Sequence, residues 1–229
     1  MSGVSPVLAQ LEPRPLIDWD WIWRNLDDIW AQTVEHLILT GIAIGVGLVI
    51  SIALAAVALR WRNLYGPIAS VSGLLYTIPS LAVFAFLAPF TGLGLLTAEV
   101  ALVSYTVLIL VRNIYTGITG VPAGVVEAAD GMGYRAVRRF FQIELPLAAP
   151  VIIAGIRIAS VTVIGLVTVT SLLGLGGLGF FILDGLRRSI LFPTEIILGT
   201  VLSAVLAAAV DLGLLGLERL ITPWRRGSA

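Results

Sequence analysis

Long apolar runs, interrupted at a few short polar points, organise this chain. A helix needs about 20 mostly apolar residues to cross the hydrocarbon core of a bilayer. Five stretches meet that need: His36 to Leu59, about Tyr65 to Leu87, about Leu96 to Ile118, Pro146 to Leu173, and Thr194 to Leu217. The first stops at Arg60-Trp61-Arg62 and the second near Pro89. Pro193 stands before the fifth, at a first-turn position where its missing N–H is tolerated. The pattern predicts an all-α integral membrane protein with five transmembrane helices. Ahead of them, Leu16 to Gln32 places Trp19, Trp21, Trp23 and Trp30 among acidic residues. Tryptophan favours the headgroup level, so a short interfacial helix is expected there. The organisation read from this pattern is an N-terminal segment 1–35, a membrane body 36–220 with a polar loop at 119–146, and a tail 221–229.

Composition agrees with a lipid environment. The chain is 58% hydrophobic and 12% charged, with mean hydropathy +1.01, whereas soluble domains carry about 25% charged residues. A net charge of zero argues against a nucleic-acid binder, which needs a basic surface. There is no cysteine, which excludes disulfides and thiolate metal sites. The single histidine, His36, reads as a polar boundary residue at the start of the first span, and no metal site is expected. The first 15 residues lack a basic stretch followed by an apolar one, so no cleaved signal peptide is expected.

Charge placement orients the spans. Arg60, Arg62, Arg135, Arg138, Arg139, Arg219, Arg225 and Arg226 all fall on one side, which the positive-inside rule makes cytoplasmic. The N-terminus is then outside and the C-terminus inside. Arg187-Arg188, on the outer side, is the discordant item.

The polar loop has its own grammar. Pro122 can open a short helix. Gly131 and Gly133 supply a turn that other residues enter only under strain. Tyr134 to Gln142 can form a second short helix, with Val137, Phe140 and Phe141 apolar among arginines. Pro146 restarts the chain as the fourth span. Within this knob the string Glu127-Ala128-Ala129, three residues, Gly133, nine residues, Ile143-x-Leu145-Pro146 resembles the EAA loop of bacterial ABC importer permeases. "YTIPSLAVFAFLAPFTGLG" (76–94), "VRNIYTGITGVPAGVVEAADGMG" (111–133), "ELPLAAPVIIAGIRIASVTVIG" (144–165) and "LLGLGGLGFFILDGL" (172–186) are similar to the glycine betaine/carnitine/choline osmoprotectant permeases. The resemblance covers roughly residues 35 to 220.

The resemblance implies a type I importer permease in a methionine-permease-like arrangement. It implies a non-catalytic transport subunit in the bacterial cytoplasmic membrane, with the knob as a coupling helix docked on an ATPase. Glu127, Ala128, Ala129, Gly133, Tyr134, Arg135 and Arg138 would then lie at the docking site. No G-x-x-x-x-G-K-[ST] motif is present, so no cofactor is expected on this chain, and ATP and Mg belong to the partner ATPase. The other implied partners are a second permease copy or a paralogue, an extracytoplasmic substrate-binding protein and the lipid bilayer. Permeases for methionine, sulfonates or phosphonate carry EAA loops too and form the alternative. An integral-membrane enzyme lacks clustered catalytic groups here, and a channel needs no docking knob.

Remaining signals carry two readings each. Gly174 to Gly179 satisfies G-x-G-x-x-G, but that fingerprint counts only between a strand and a helix; a flexible outer turn, as a gate or docking surface, fits the context. Arg157 and Asp211 lie at comparable depth in the fourth and fifth spans, either as an ion pair or with separate partners. Thr77, Pro79 and Ser80 interrupt the second span, as a kink or as lining of a pathway. Gly41 and Gly45 form a G-x-x-x-G pair expected to pack helices closely.

Overall fold

The computed structural model describes residues 15–188 and 192–223. Arg225 and Arg226, used above to orient the chain, lie outside them. The helices are α1 (Trp19–Arg24), α2 (Leu26–Arg60), α3 (Tyr65–Thr77), α4 (Ser80–Thr91), α5 (Leu95–Thr119), α6 (Ala123–Gly131), α7 (Ala136–Arg139), α8 (Leu145–Thr170), α9 (Gly179–Arg187) and α10 (Pro193–Ile221). Among the described residues four helices are long and apolar enough to span a bilayer, and the bent pair α3–α4 makes a fifth if counted as one span.

The bend is the first departure from the sequence pattern. The stretch from Tyr65 to Leu87 reads as one helix, but α3 and α4 meet at 95°. Pro79 lacks an N–H and forces the residue before it out of helical geometry; Ile78 accordingly has ψ 129°. The pair still follows α5 along its length. Tyr65 stacks on Tyr115 at 3.8 Å near one end, and the Thr91 and Thr97 hydroxyls meet at 2.5 Å near the other.

α5 is the centre of the bundle. It lies between α2 and α8, with α3 and α4 against it. The face of α2 that enters the core is His36, Leu39, Thr40, Ala43, Gly47, Ser51, Ala55 and Ala58. These are mostly small residues at helical spacing, and they let backbones approach closely. A Cβ at Gly47 would stand 1.8 Å from Thr106 Oγ1. Gly41 and Gly45 lie on the opposite, exposed face with nothing within 4 Å of an added Cβ. The G-x-x-x-G pair therefore packs against none of the described helices; the close approach uses Gly47, two residues beyond Gly45.

The N-terminal segment also differs from a single interfacial helix. α2 runs unbroken for 35 residues from Leu26, so Trp30 belongs to the long helix. α1 is one short piece, started by the Asp18 carboxylate accepting the Trp21 N–H at 2.9 Å. It is docked on the body: Trp21 packs edge-on against Phe181 and Phe192 at 6.1 and 5.6 Å, and the Asp18 N–H donates to Thr194 Oγ1. Trp19, Trp23 and Trp30 remain 63%, 68% and 70% exposed.

At the other end, Pro146 does not restart the chain. A continuous helical run extends from Ala136 to Leu173. A π turn over Phe140–Glu144 lies within that run, just ahead of Pro146, where the coming proline cannot supply its N–H to a regular ladder.

Candidate functional site

The polar loop folds into a helix–turn–helix knob beyond the ends of α2 and α5. Its turn is closed by Met132 N–H to the Ala128 carbonyl at 3.0 Å, Gly133 N–H to the Asp130 carbonyl at 2.9 Å and Tyr134 N–H to the Ala129 carbonyl at 3.1 Å. Gly133 has φ 81°, a left-handed conformation that glycine enters freely. Glu127, Ala128 and Arg135 are exposed, and Ala129 is fully buried, packing the knob rather than offering surface. Arg138 lies 5.0 Å over the Tyr134 ring and donates to Gln142 Oε1 at 2.9 Å. The seven residues singled out in the sequence thus sit in one unit.

Arg139 braces that unit. Its Nη1 donates to both carboxylate oxygens of Asp130, at the end of α6. Its Nε donates to Glu144 Oε1 at 2.7 Å, at the start of α8. The hydrogen bonds it donates to Glu144 and Asp130 raise the guanidinium pKa above its ordinary value, so it stays charged. The sequence grouped Arg139 with its neighbours by sign alone; the signal that separates it is an acid on either side, at 130 and 144. Around this ion-paired frame the knob leaves Met132, Val137 and Phe141 at 69%, 71% and 61% exposed. A cleft of about 880 Å³, lined by Arg60, Arg62, Glu127 and Arg139 among others, separates the knob from the end of α2.

The break in the second span lies deeper. Thr77 and Pro79 are exposed and Ser80 is partly so. Thr77 Oγ1 turns back onto the Leu74 carbonyl. The Ile78 carbonyl accepts from the Tyr105 hydroxyl, so a tyrosine of α5 fills one of the bonds lost at the proline. Tyr76 packs against Tyr105 at 5.7 Å and 67°.

Between α8 and α10, the structure brings Arg157 and Asp211 together in two hydrogen bonds of 2.8 Å. Glu218 stands 3.6 Å from Arg157 Nη1. At the end of the bundle away from the knob, the glycine-rich turn is not loose. Gly176 N–H donates to Glu35 Oε1 at 3.0 Å and Leu178 N–H to His36 Nδ1 at 3.2 Å. His36 Nε2 meets the Ile164 carbonyl at 3.0 Å. His36 is therefore a fully buried cross-brace rather than a boundary residue. The turn joins two helices, with no strand before it among the described residues. The discordant pair has an explanation in part: Arg188 is held by Asp184 at 2.9 Å and by Glu195 at 2.5 Å.

The comparisons with known proteins agree with this geometry. The sequence model of the family described as "Binding-protein-dependent transport system inner membrane component" matches residues 47–226. The chain is 39% identical over 203 residues to the choline transport system permease protein OpuBB of Bacillus subtilis (strain 168), covering 89% of this chain and 93% of that one. It is 37% identical, over the same shares, to the glycine betaine/carnitine/choline transport system permease protein OpuCB of the same organism. Among solved structures it is similar to a chain of the inward-facing MetNI methionine ABC transporter. The TM-score there is 0.75 at 20% identity, over 90% of this chain and 100% of that one; at that identity the likeness shows the fold.

Proposed function

The chain belongs to the inner membrane components of binding-protein-dependent transport systems, and from that membership we propose that it is the permease of an ATP-driven importer of quaternary-amine solutes, of the choline, glycine betaine and carnitine class. It is a transport subunit of an ABC system, and it works with an ATPase and a binding protein. The substrate class rests on relatives at 39% and 37% identity along nearly the whole chain. The methionine transporter shares the fold at 20% identity, which does not extend to cargo.

The observation that carries the coupling mechanism is the knob. An apolar surface of Met132, Val137 and Phe141 stands on an ion-paired frame outside the spans. Such a rigid, partly apolar projection fits a cleft on a soluble partner. Glu127, Ala128, Gly133, Tyr134, Arg135 and Arg138 form its docking side in this reading, and Ala129 packs behind them. The knob carries Arg135, Arg138 and Arg139 and faces Arg60 and Arg62 across the cleft, which supports a cytoplasmic knob. The N-terminus is then outside and the C-terminus inside.

A passage between subunits needs a second permease, as another copy or a paralogue. ATP binds the closed ATPase pair more tightly than the open one, and only that difference drives the switch in access. Thr77, Pro79 and Ser80 line the passage in this reading, because open backbone at membrane depth is tolerated only against protein or water. Uptake of labelled choline, glycine betaine and carnitine in cells with and without the chain tests the proposal. Loss of uptake of at least one supports it, and equal uptake of all three in both strains overturns it.

A further inference from the structure

The break between α3 and α4 combines features that neither a kink nor a packing contact requires. α3 has 13 residues and ends about 20 Å from its start at 1.5 Å per residue. Tyr105 lies about 15 Å along α5 from Leu95 by the same measure. Both estimates put the break near the middle of a hydrocarbon core about 30 Å thick. The break leaves the last carbonyls of α3 and the first N–H groups of α4 outside the regular backbone ladder of their helices. The Leu74 carbonyl takes the Thr77 hydroxyl, the Leu75 carbonyl the Ile78 N–H, and the Ile78 carbonyl, just past the helix, the Tyr105 hydroxyl.

Such groups at that depth face protein or a water-filled passage, never lipid. The carbonyl end of a helix carries partial negative charge and favours a cation. In its final turn stands Tyr76, 38% exposed, with its ring held by Tyr105, itself 5% exposed. An aromatic face beside open carbonyls suits a cation that has no N–H to donate, such as a quaternary ammonium, which is attracted by the ring quadrupole.

We propose that Tyr76 and the carbonyl end of α3 form a way station for the quaternary ammonium head of the solute, midway through the membrane. The proposal rests on the substrate class argued above. Tyr105 is a positioning residue: it fixes the Tyr76 ring and fills the Ile78 carbonyl, and the carbonyls of Tyr76 and Thr77 are left to the passing cation. The site is open on one side, as a transit site must be. It binds well enough to admit the head and weakly enough to release it.

The test uses the complete transporter, permease with its ATPase and binding protein, in proteoliposomes with labelled choline below saturation. Tyr76→Phe and Tyr76→Trp keep the aromatic face and hold uptake near that of the unaltered chain. Tyr76→Leu removes it and lowers uptake about tenfold, at equal amounts of assembled complex. Leucine transporting as well as tyrosine overturns the site and leaves the proposed function standing. Phenylalanine and tryptophan falling as far as leucine also overturn it, since the loss then follows the hydroxyl or the fit. No choline, betaine or carnitine uptake by the unaltered transporter overturns the substrate class, and this site with it.

Discussion

Arg157 reaches from α8 to Asp211 on α10 through two parallel hydrogen bonds, Nε to Oδ1 and Nη2 to Oδ2, each 2.8 Å. Two-point pairing of this kind fixes geometry as well as charge. α10 packs chiefly on α8 and α9 among the described helices, so the pair fastens an edge helix. Replacing Asp211 with alanine leaves an arginine without its main partner within the membrane. The expected result is several-fold less folded permease recovered from membranes by size-exclusion chromatography. The exchange Arg157→Asp with Asp211→Arg restores most of it.

Gly133 tests the turn of the knob without touching a neighbour. An added Cβ there meets nothing within 4 Å, so only the φ of 81° opposes a side chain. Gly133→Ala is expected to cost about 1–2 kcal/mol locally, and Gly133→Asn less, since asparagine visits that conformation more readily. Hydrogen exchange of residues 123–139 reads the difference. Faster exchange in the alanine variant, with spans unchanged, is the expected outcome.

His36 holds two backbone groups far from it in sequence. Because Nδ1 accepts the Leu178 N–H, Nε2 carries the proton and donates to the Ile164 carbonyl. His36→Leu keeps the volume roughly and orphans both groups, at about 1–3 kcal/mol each. A lowered Tm of the detergent-purified protein is expected, and an unchanged Tm would remove the brace from the account.

Glycine pairs separate close packing from mere composition. A Cβ at Gly155 would stand 2.4 Å from Asn113 Cβ, where α8 crosses α5. Gly155→Ala is expected to cost about 1–3 kcal/mol by overpacking. Gly41→Ala and Gly45→Ala have free space within the chain and are expected to leave the Tm of the isolated permease unchanged.

The spans and the knob were legible because membrane length and turn chemistry leave local marks. Apolar runs stop at Arg60, and Pro122 and Gly133 punctuate the knob; Gly131, expected to share the turn, instead ends α6 as a helical residue. What stayed hidden depends on partners distant in sequence. In a helix apolar on all sides, hydropathy cannot say which face is buried, so Gly41-x-x-x-Gly45 looked like the packing seam while Gly47 made the contact. His36 looked like a boundary residue because its partners are 128 and 142 positions away. Pro79 marked a break, but its 95° angle and the Tyr105 hydroxyl that accommodates it follow from α5. Arg139 needed the knob to be folded before its two acids came within reach.

The measurement that bears most directly on the account is ATP-driven uptake of labelled choline, glycine betaine and carnitine by the reconstituted transporter, with and without an intact knob. The unaltered chain is expected to accumulate at least one of these solutes only when ATP is supplied. Removing Glu127 to Gly133 is expected to abolish both that uptake and association with the ATPase, while the permease remains in the membrane. Undiminished ATP-driven uptake after that deletion would contradict the account.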